Sequence, residues 1–275
     1  MAFVRTALLL GFLTGIFLGI GYLVGGTPGL TLALILSLIL NFSAYWFSDR
    51  IVLSVYGAKP LKDPELRAAV SKLARKAGIP TPKLFVIENP VPNAFATGRS
   101  PKHGVIAVTT GLLENLNADE VEGVLSHEIS HIKNRDILVS TVAAVMAGAI
   151  AYLAQMVWFG LYRDNRSVLA LLPVLILAPL AATMIRFAIS RTREFLADRT
   201  GALISGKPEA LASALKKISG FVKAYPSEGN PATSHMWIVN PLSSDFFSKL
   251  FSTHPPVEER VRRLELMARE TSKGP

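Results

Sequence analysis

His127, Glu128 and His131 stand in an H-E-x-x-H arrangement within the stretch from Val124 to His131. On a helix, residues four apart share one face, so both imidazoles can reach a single metal ion. Glu128 follows the first of them and can project toward the same opening, where it can take a proton from an attacking water. Residues of these types at this spacing suit metal-assisted hydrolysis of a peptide bond. Chance would place the pattern in a chain of this length less than roughly 1% of the time. For it to work, a helix must carry it, a third ligand must complete it, and a substrate surface must adjoin it.

The helix has clear signals. Asn117 is a good N-cap, and Glu120 three residues on makes a capping-box variant. Asp119, Glu120 and Glu122 suit the positive end of the helix dipole. Val121, Val124, Leu125 and Ile132 can face a core, and no proline interrupts Ala118 to Ile137. This predicts one helix over that range.

The chain has no cysteine, so a zinc site must be built from His and carboxylate ligands. Arg193-Glu194-Phe195-Leu196-Ala197-Asp198 places two carboxylates one turn apart on a helix face. Glu194 can ligate the ion while Asp198 orients one of the histidines and fixes its tautomer. Taken alone, the two read more readily as an ordinary solvated pair beside Arg191, Arg193 and Arg199. Membrane topology offers an independent test.

Half of the 275 residues are hydrophobic, too many for an ordinary soluble enzyme, which fits one compact domain with a few membrane helices. Apolar runs cover Thr6 to Val24 and Leu30 to Phe47, with a tight turn at Gly25-Gly26-Thr27-Pro28-Gly29. Two more cover Ile137 to Tyr162 and Val168 to Met184. Four spans put His131 and Glu194 on the same side, because two spans separate them. Arg5, Arg50, Lys59, Lys62, Lys133, Arg135, Arg186, Arg191 and Arg193 share that side, against Arg163 and Arg166. By the positive-inside rule, both termini and the metal site are cytoplasmic, in a multi-pass protein of the cell membrane. The net charge of +9 is read as this topology and as contact with anionic lipid. The basic residues form no nucleic-acid motif, and no nucleic-acid partner is expected.

The expected fold is α+β and mainly helical. An N-terminal membrane hairpin spans 1–48, the first part of a peptidase domain 49–136, a second hairpin 137–184, and the rest of the domain 185–275. Helices are predicted over Pro64 to Ala77, Ser190 to Ile204, Glu209 to Val222 and Val257 to Ala268. Short strands are predicted at Lys83 to Ile87, Asn93 to Gly98 and Gly104 to Thr110, while Ala224 to Lys249 reads as loop.

These motifs together resemble the HtpX-like membrane zinc metalloproteases. The match is His127-Glu128-Ile129-Ser130-His131, a hydrophobic pair, then Glu194-Phe195-Leu196-Ala197-Asp198, flanked by Pro92 to Gly98 and Ser252-Thr253-His254-Pro255. The resemblance implies a gluzincin fold and one zinc ion per chain, held by His127, His131 and Glu194. It also implies Glu128 as the catalytic base of an endopeptidase acting in membrane-protein quality control. The expected partners are polypeptide substrates, chiefly membrane proteins, and the lipid bilayer; a homo-oligomer is compatible with the sequence. The developing oxyanion needs a second donor, for which His254 and Arg260 are the candidates. Asn93, Ala94, Phe95 and Ala96 read either as an edge strand that pairs with extended substrate or as a plain hairpin strand. The alternatives are a CAAX prenyl endopeptidase, which would need more spans, and a non-catalytic membrane scaffold, against which the intact Glu128 argues.

Overall fold

The computed structural model describes residues 2–163, 191–225, 233–241 and 255–272. Helix α1 (Ala2–Trp46) is broken at its middle, where Gly25 (φ −139°, ψ 16°) and Gly26 (φ 58°, ψ −142°) leave helical geometry. The second value lies in the region open mainly to glycine, so the chain reverses where the glycines fall. The two arms touch at Gly21 and Gly29, where a Cβ on Gly29 would lie 2.1 Å from the Gly21 carbonyl oxygen. Asn41 on the second arm donates to the Leu10 carbonyl (3.3 Å) and to Thr14 Oγ1 (2.8 Å) on the first. The two arms therefore pack as a helical hairpin.

Among the described residues, Gly25–Trp46 is the one helix long and apolar enough to cross a membrane; Thr6–Gly19 and Asp136–Gly148 are shorter apolar stretches. Four spans were predicted, and the fourth, Val168 to Met184, lies outside the described residues.

The chain continues through α2 (Ser48–Val55), the two-residue β1 (Lys59–Pro60) and α3 (Pro64–Ala77). Helix α3 is capped by Asp63, which accepts from the Leu66 amide at 3.0 Å, and it ends at Gly78 in left-handed conformation (φ 73°). Strands β2 (Lys83–Ile87), β3 (Ala94–Thr97) and β4 (Val105–Thr109) join β1 in a sheet of order β1-β2-β4-β3. β2 runs parallel to β4, and β3 antiparallel to it, which leaves β3 at the edge. A short helix α4 (Thr110–Asn115) leads into α5 (Ala118–Lys133), the helix of the H-E-x-x-H motif.

The predicted run to Ile137 is not one helix. α5 stops at Lys133, Arg135 takes a left-handed backbone (φ 60°), and α6 (Asp136–Arg163) starts on a new axis. A single left-handed residue ends the hydrogen-bond ladder as effectively as a proline, and no residue type here announces it. After the undescribed segment come α7 (Arg191–Ser205) and α8 (Pro208–Ala224), and finally α9 (Val257–Ser272).

Helix α5 is the centre of the domain. Val124, Leu125, Ile129 and Ile132 are fully buried in a core that also takes Val70 and Leu73 of α3, Ile106 and Val108 of β4, and Leu211, Leu215 and Ile218 of α8. Each such side chain contributes ~1.5–3 kcal/mol on removal from water, so the helix has no freedom to roll. A second cluster joins Leu9 and Leu13 of α1 to Val139, Val142, Met146 and Ile150 of α6. The Thr97 and Thr141 hydroxyls, 3.0 Å apart, tie the end of β3 to α6.

Candidate metal centre

The start of α5 is fixed by a reciprocal cap: Asn117 Oδ1 accepts from the Glu120 amide, and Glu120 accepts from the Asn117 amide, both at 2.9 Å. Lys217 of α8 then holds Glu120 at 2.8 Å. Register and depth of the helix are thereby set before the motif is reached.

Helix α7 crosses α5 at the motif. Glu194, Asp198 and Gly201 lie at helical spacing on the face turned to α5. A Cβ on Gly201 would lie 2.9 Å from the His127 nitrogen and 3.0 Å from its Cα, so only glycine permits this approach. Gly201→Ala is expected to push the helices apart, lower stability by ~1–3 kcal/mol and weaken metal retention, as read by thermal denaturation and metal content. Retention of both would remove the close approach as a requirement.

The crossing brings His127, His131 and Glu194 together, with candidate ligand atoms all within 4.8 Å of one another. The two Nε2 atoms face each other at 3.1 Å. Glu194 lies 3.9 Å from Nε2 of His127 and 3.5 Å from Nε2 of His131. Both Nδ1 atoms point away, to carboxylates: His127 to Asp198 at 2.9 Å, His131 to Asp136 at 3.4 Å. With each Nδ1–H donated to a carboxylate, the Nε2 lone pairs converge on one point, as a metal ligand pair requires.

Behind Asp198 lies Arg260 of α9, which is fully buried. Its Nε donates to Asp198 Oδ2 (2.8 Å), its Nη2 to Oδ1 (2.7 Å) and its Nη1 to the Ile238 carbonyl (2.8 Å). Nη1 is also 3.8 Å from Glu194. The second oxyanion candidate, His254, lies outside the described residues. Asp136 is anchored in turn by Arg193 at 2.7 Å.

The charges follow from this layout. Burial pulls the His127 imidazole down to about 4, against the pull of Asp198. Burial works on His131 in the same direction, but Glu194, Asp136 and Glu128 outweigh it and hold His131 up to about 9. The charge of His131 adds to the depression of His127. Burial would raise Asp198, but the Arg260 guanidinium outweighs it and holds the carboxyl down at about 2. Burial, aided by the charge of Glu194, pushes Glu128 up to about 7 against His131, Arg260 and a backbone hydrogen bond at Ala96.

Ala96, His127, Glu128, His131, Glu194 and Ile238 help to line a cavity of about 40 Å³. That is room for an ion and a water or two, not for a peptide. The reason lies in the segment read as loop. Its residues Ser234–Val239 are buried against the edge of β3, where the Ile238 amide donates to the Ala94 carbonyl at 2.9 Å. Asn93 Nδ2 donates to the Val239 carbonyl at 2.8 Å. Ala94, Phe95 and Ala96 are thus on an edge strand, with Asn93 just before it, but part of that edge is taken by the chain itself.

Sequence reasoning did not single out Asp136 or the Ser234–Val239 segment. A carboxylate five positions after His131 was a usable signal for the first. The second has no periodic pattern.

The model of Peptidase family M48 matches residues 60–268, a range that holds all of these groups. The chain belongs to peptidase family M48. A protein described as Protease HtpX homolog from Pyrococcus furiosus is 57% identical over 278 residues, covering 97% of this chain and 96% of its own. Another from Sulfurihydrogenibium sp. is 49% identical over 289 residues, covering 98% of each chain. The crystal structure of S. mikatae Ste24p superposes with a TM-score of 0.53 at 19% identity. That likeness covers 92% of this chain and shows a shared fold; the chain spans 62% of the length of that one. The M48 chain is a membrane metalloprotease, and its His127, His131 and Glu194 make a site able to hold the metal.

In the metal-free M48 protein, ion pairs raise His131, so they contribute stability that is complete below about pH 6.5 and lost as pH rises through about 9. Loading a metal must displace that proton. Metal affinity is therefore expected to rise with pH up to about 9, measurable by chelator competition. An affinity flat over that range would contradict a protonated His131.

Proposed function

We propose that the protein is a zinc-dependent endopeptidase with His127, His131 and Glu194 as ligands, Glu128 as base and Asp198 as the group that orients His127. The observation that carries this reading is the convergence of both Nε2 atoms and the Glu194 carboxylate, with both Nδ1 atoms held from behind. Two imidazoles and one carboxylate, with no thiolate, are a donor set that zinc accepts while keeping a position open. When bound, zinc supplies Lewis acidity toward water and a carbonyl oxygen.

The chain's own residues do the rest. Glu128, buried and held near neutrality, takes a proton from the attacking water and returns it to the leaving amine. Asp198 and Asp136 fix the two imidazoles. Arg260 is occupied by Asp198 and Ile238, so any role in oxyanion binding requires that it exchange one of these partners. Extended substrate pairs with the edge of β3, and for this the Ser234–Val239 segment must give way at Ala94.

The wider reading is a cytoplasmic-facing peptidase with four membrane helices, acting on misfolded membrane proteins. It is supported by the apolar hairpin of α1 and by an α6 that starts at the metal site and runs for 28 residues, ~42 Å. Protease protection in sealed vesicles tests the orientation; an external metal site would overturn it. Glu194→Ala is expected to lose bound zinc, measured by elemental analysis, while the exposed Glu209→Ala keeps it. Zinc retained in the first variant would remove Glu194 as a ligand.

A further inference from the structure

At the foot of α1, against the α5–α6 corner, lies a cavity of about 600 Å³. Its rim is formed by Tyr45, the loop after α3, the β3–β4 loop with Arg99 and Lys102, and the α5–α6 corner with Lys133 and Arg135. The lining contains four cations and no carboxylate. None of the four has an acidic partner among the described residues. This sets them apart from Lys59, Lys207, Lys216, Lys217 and Arg193, each of which is paired. Like charges gathered from two distant stretches of chain repel one another, and the described residues supply no carboxylate to offset it.

The surroundings say what would. The apolar arm Gly25–Trp46 ends at this cavity in exposed aromatic residues, Phe42, Trp46 and Phe47. Such residues sit at the headgroup level of a bilayer. The Arg99 guanidinium lies 4.6 Å from the Trp46 ring centroid and 3.0 Å from Nε2 of His103, which positions it beside that belt. Arg135 holds the left-handed corner (φ 60°), a conformation that glycine or asparagine adopts more readily. An arginine is not what the backbone asks for there.

We propose that this cavity binds the headgroup of an anionic phospholipid, its phosphate held by Arg99, Lys102, Lys133 and Arg135, its acyl chains along α1. Positive-inside topology needs basic residues only on one side of the membrane. It does not need them around a cavity without acids. The site requires that α1 meet the bilayer at Trp46, but not the metal chemistry.

The test uses full-length protein in a neutral detergent. Soluble short-chain phosphatidylglycerol, phosphatidylcholine of equal chain length and inorganic phosphate are each added, and the apparent Tm is read. Phosphatidylglycerol is expected to raise it by ~3–6 °C, and the other two by less than ~1 °C. The Lys102→Gln/Lys133→Gln/Arg135→Gly variant is expected to lose most of that rise. Arg135→Gly alone relieves the left-handed strain, so it should fold at least as well as the parent yet respond about half as strongly. Glu128→Gln should respond in full, which separates this site from the peptidase reading. Equal shifts with both lipids, a full shift with phosphate alone, or an undiminished response in Arg135→Gly would each overturn the proposal.

Discussion

Glu128→Gln is expected to lower kcat by ~10³-fold with little change in KM, while zinc stays bound. The side chain keeps its shape and loses only the ability to take a proton. It lies in the cavity beside His131 and Glu194, and it is not itself among the groups that converge on the metal position. A second readout checks the environment as well as the role. Because burial raises the Glu128 carboxyl to about 7, its ionisation opposes folding, and this penalty grows as pH rises from about 4.5 to about 7. At its plateau it is worth roughly 3 kcal/mol in the metal-free protein. Metal-free Glu128→Gln should therefore melt above the parent at pH 8 and level with it at about pH 4. Equal cleavage of a casein substrate by variant and parent would return the scaffold reading to favour. Loss of cleavage without the alkaline gain in stability would mean that Glu128 is better solvated than the structure places it.

The parts of this molecule that could be read from sequence are those whose determinants are local. The cap at Asn117, the spacing of His127 and His131, the proline and glycine bracketing α3 and the glycines that break α1 all act within a few residues. Glu194 and Asp198 are 63 or more positions beyond His131, yet helical spacing put them on one face of a helix. What escaped depends on contacts distant in sequence. Ser234–Val239 has no helical or alternating pattern, and its order comes from Asn93, which bonds Val239 across 146 positions. Asp136 was hidden by the expectation of a continuous helix, and the left-handed Arg135 that turns it toward His131 leaves no mark in residue type. Strand β1 is two residues long, too short for any pattern to register. Arg260 was considered for the oxyanion, whereas its three short bonds all go to Asp198 and Ile238.

Removing that arginine should cost as much as truncating one of the large apolar side chains of the core. Arg260→Met takes away three donors and leaves the Asp198 carboxylate buried with His127 as its one remaining partner among the described residues. A buried charge stripped of its counter-ion costs ~3–5 kcal/mol, against ~1–3 kcal/mol for the hydrogen bonds of an ordinary polar pair. Asp198 then relaxes either by taking a proton or by drawing the proton of His127 more firmly to itself. In the first case it no longer fixes the tautomer, and metal affinity should fall ~10–100-fold. Arg260→Lys separates charge from geometry: one ammonium cannot grip both carboxylate oxygens and the Ile238 carbonyl, so it should recover part of the stability and little of the affinity. The decisive comparison is Asp198→Asn/Arg260→Met. Deleting both charges together removes the stranded carboxylate, so the double variant should be more stable than Arg260→Met alone, with a coupling of ~1–3 kcal/mol, while zinc binding stays poor. If the two changes were additive in denaturant unfolding, the guanidinium would be packing α9 against α7 by its bulk alone, and the alignment of His127 would have to come from the α5 and α7 helices without it.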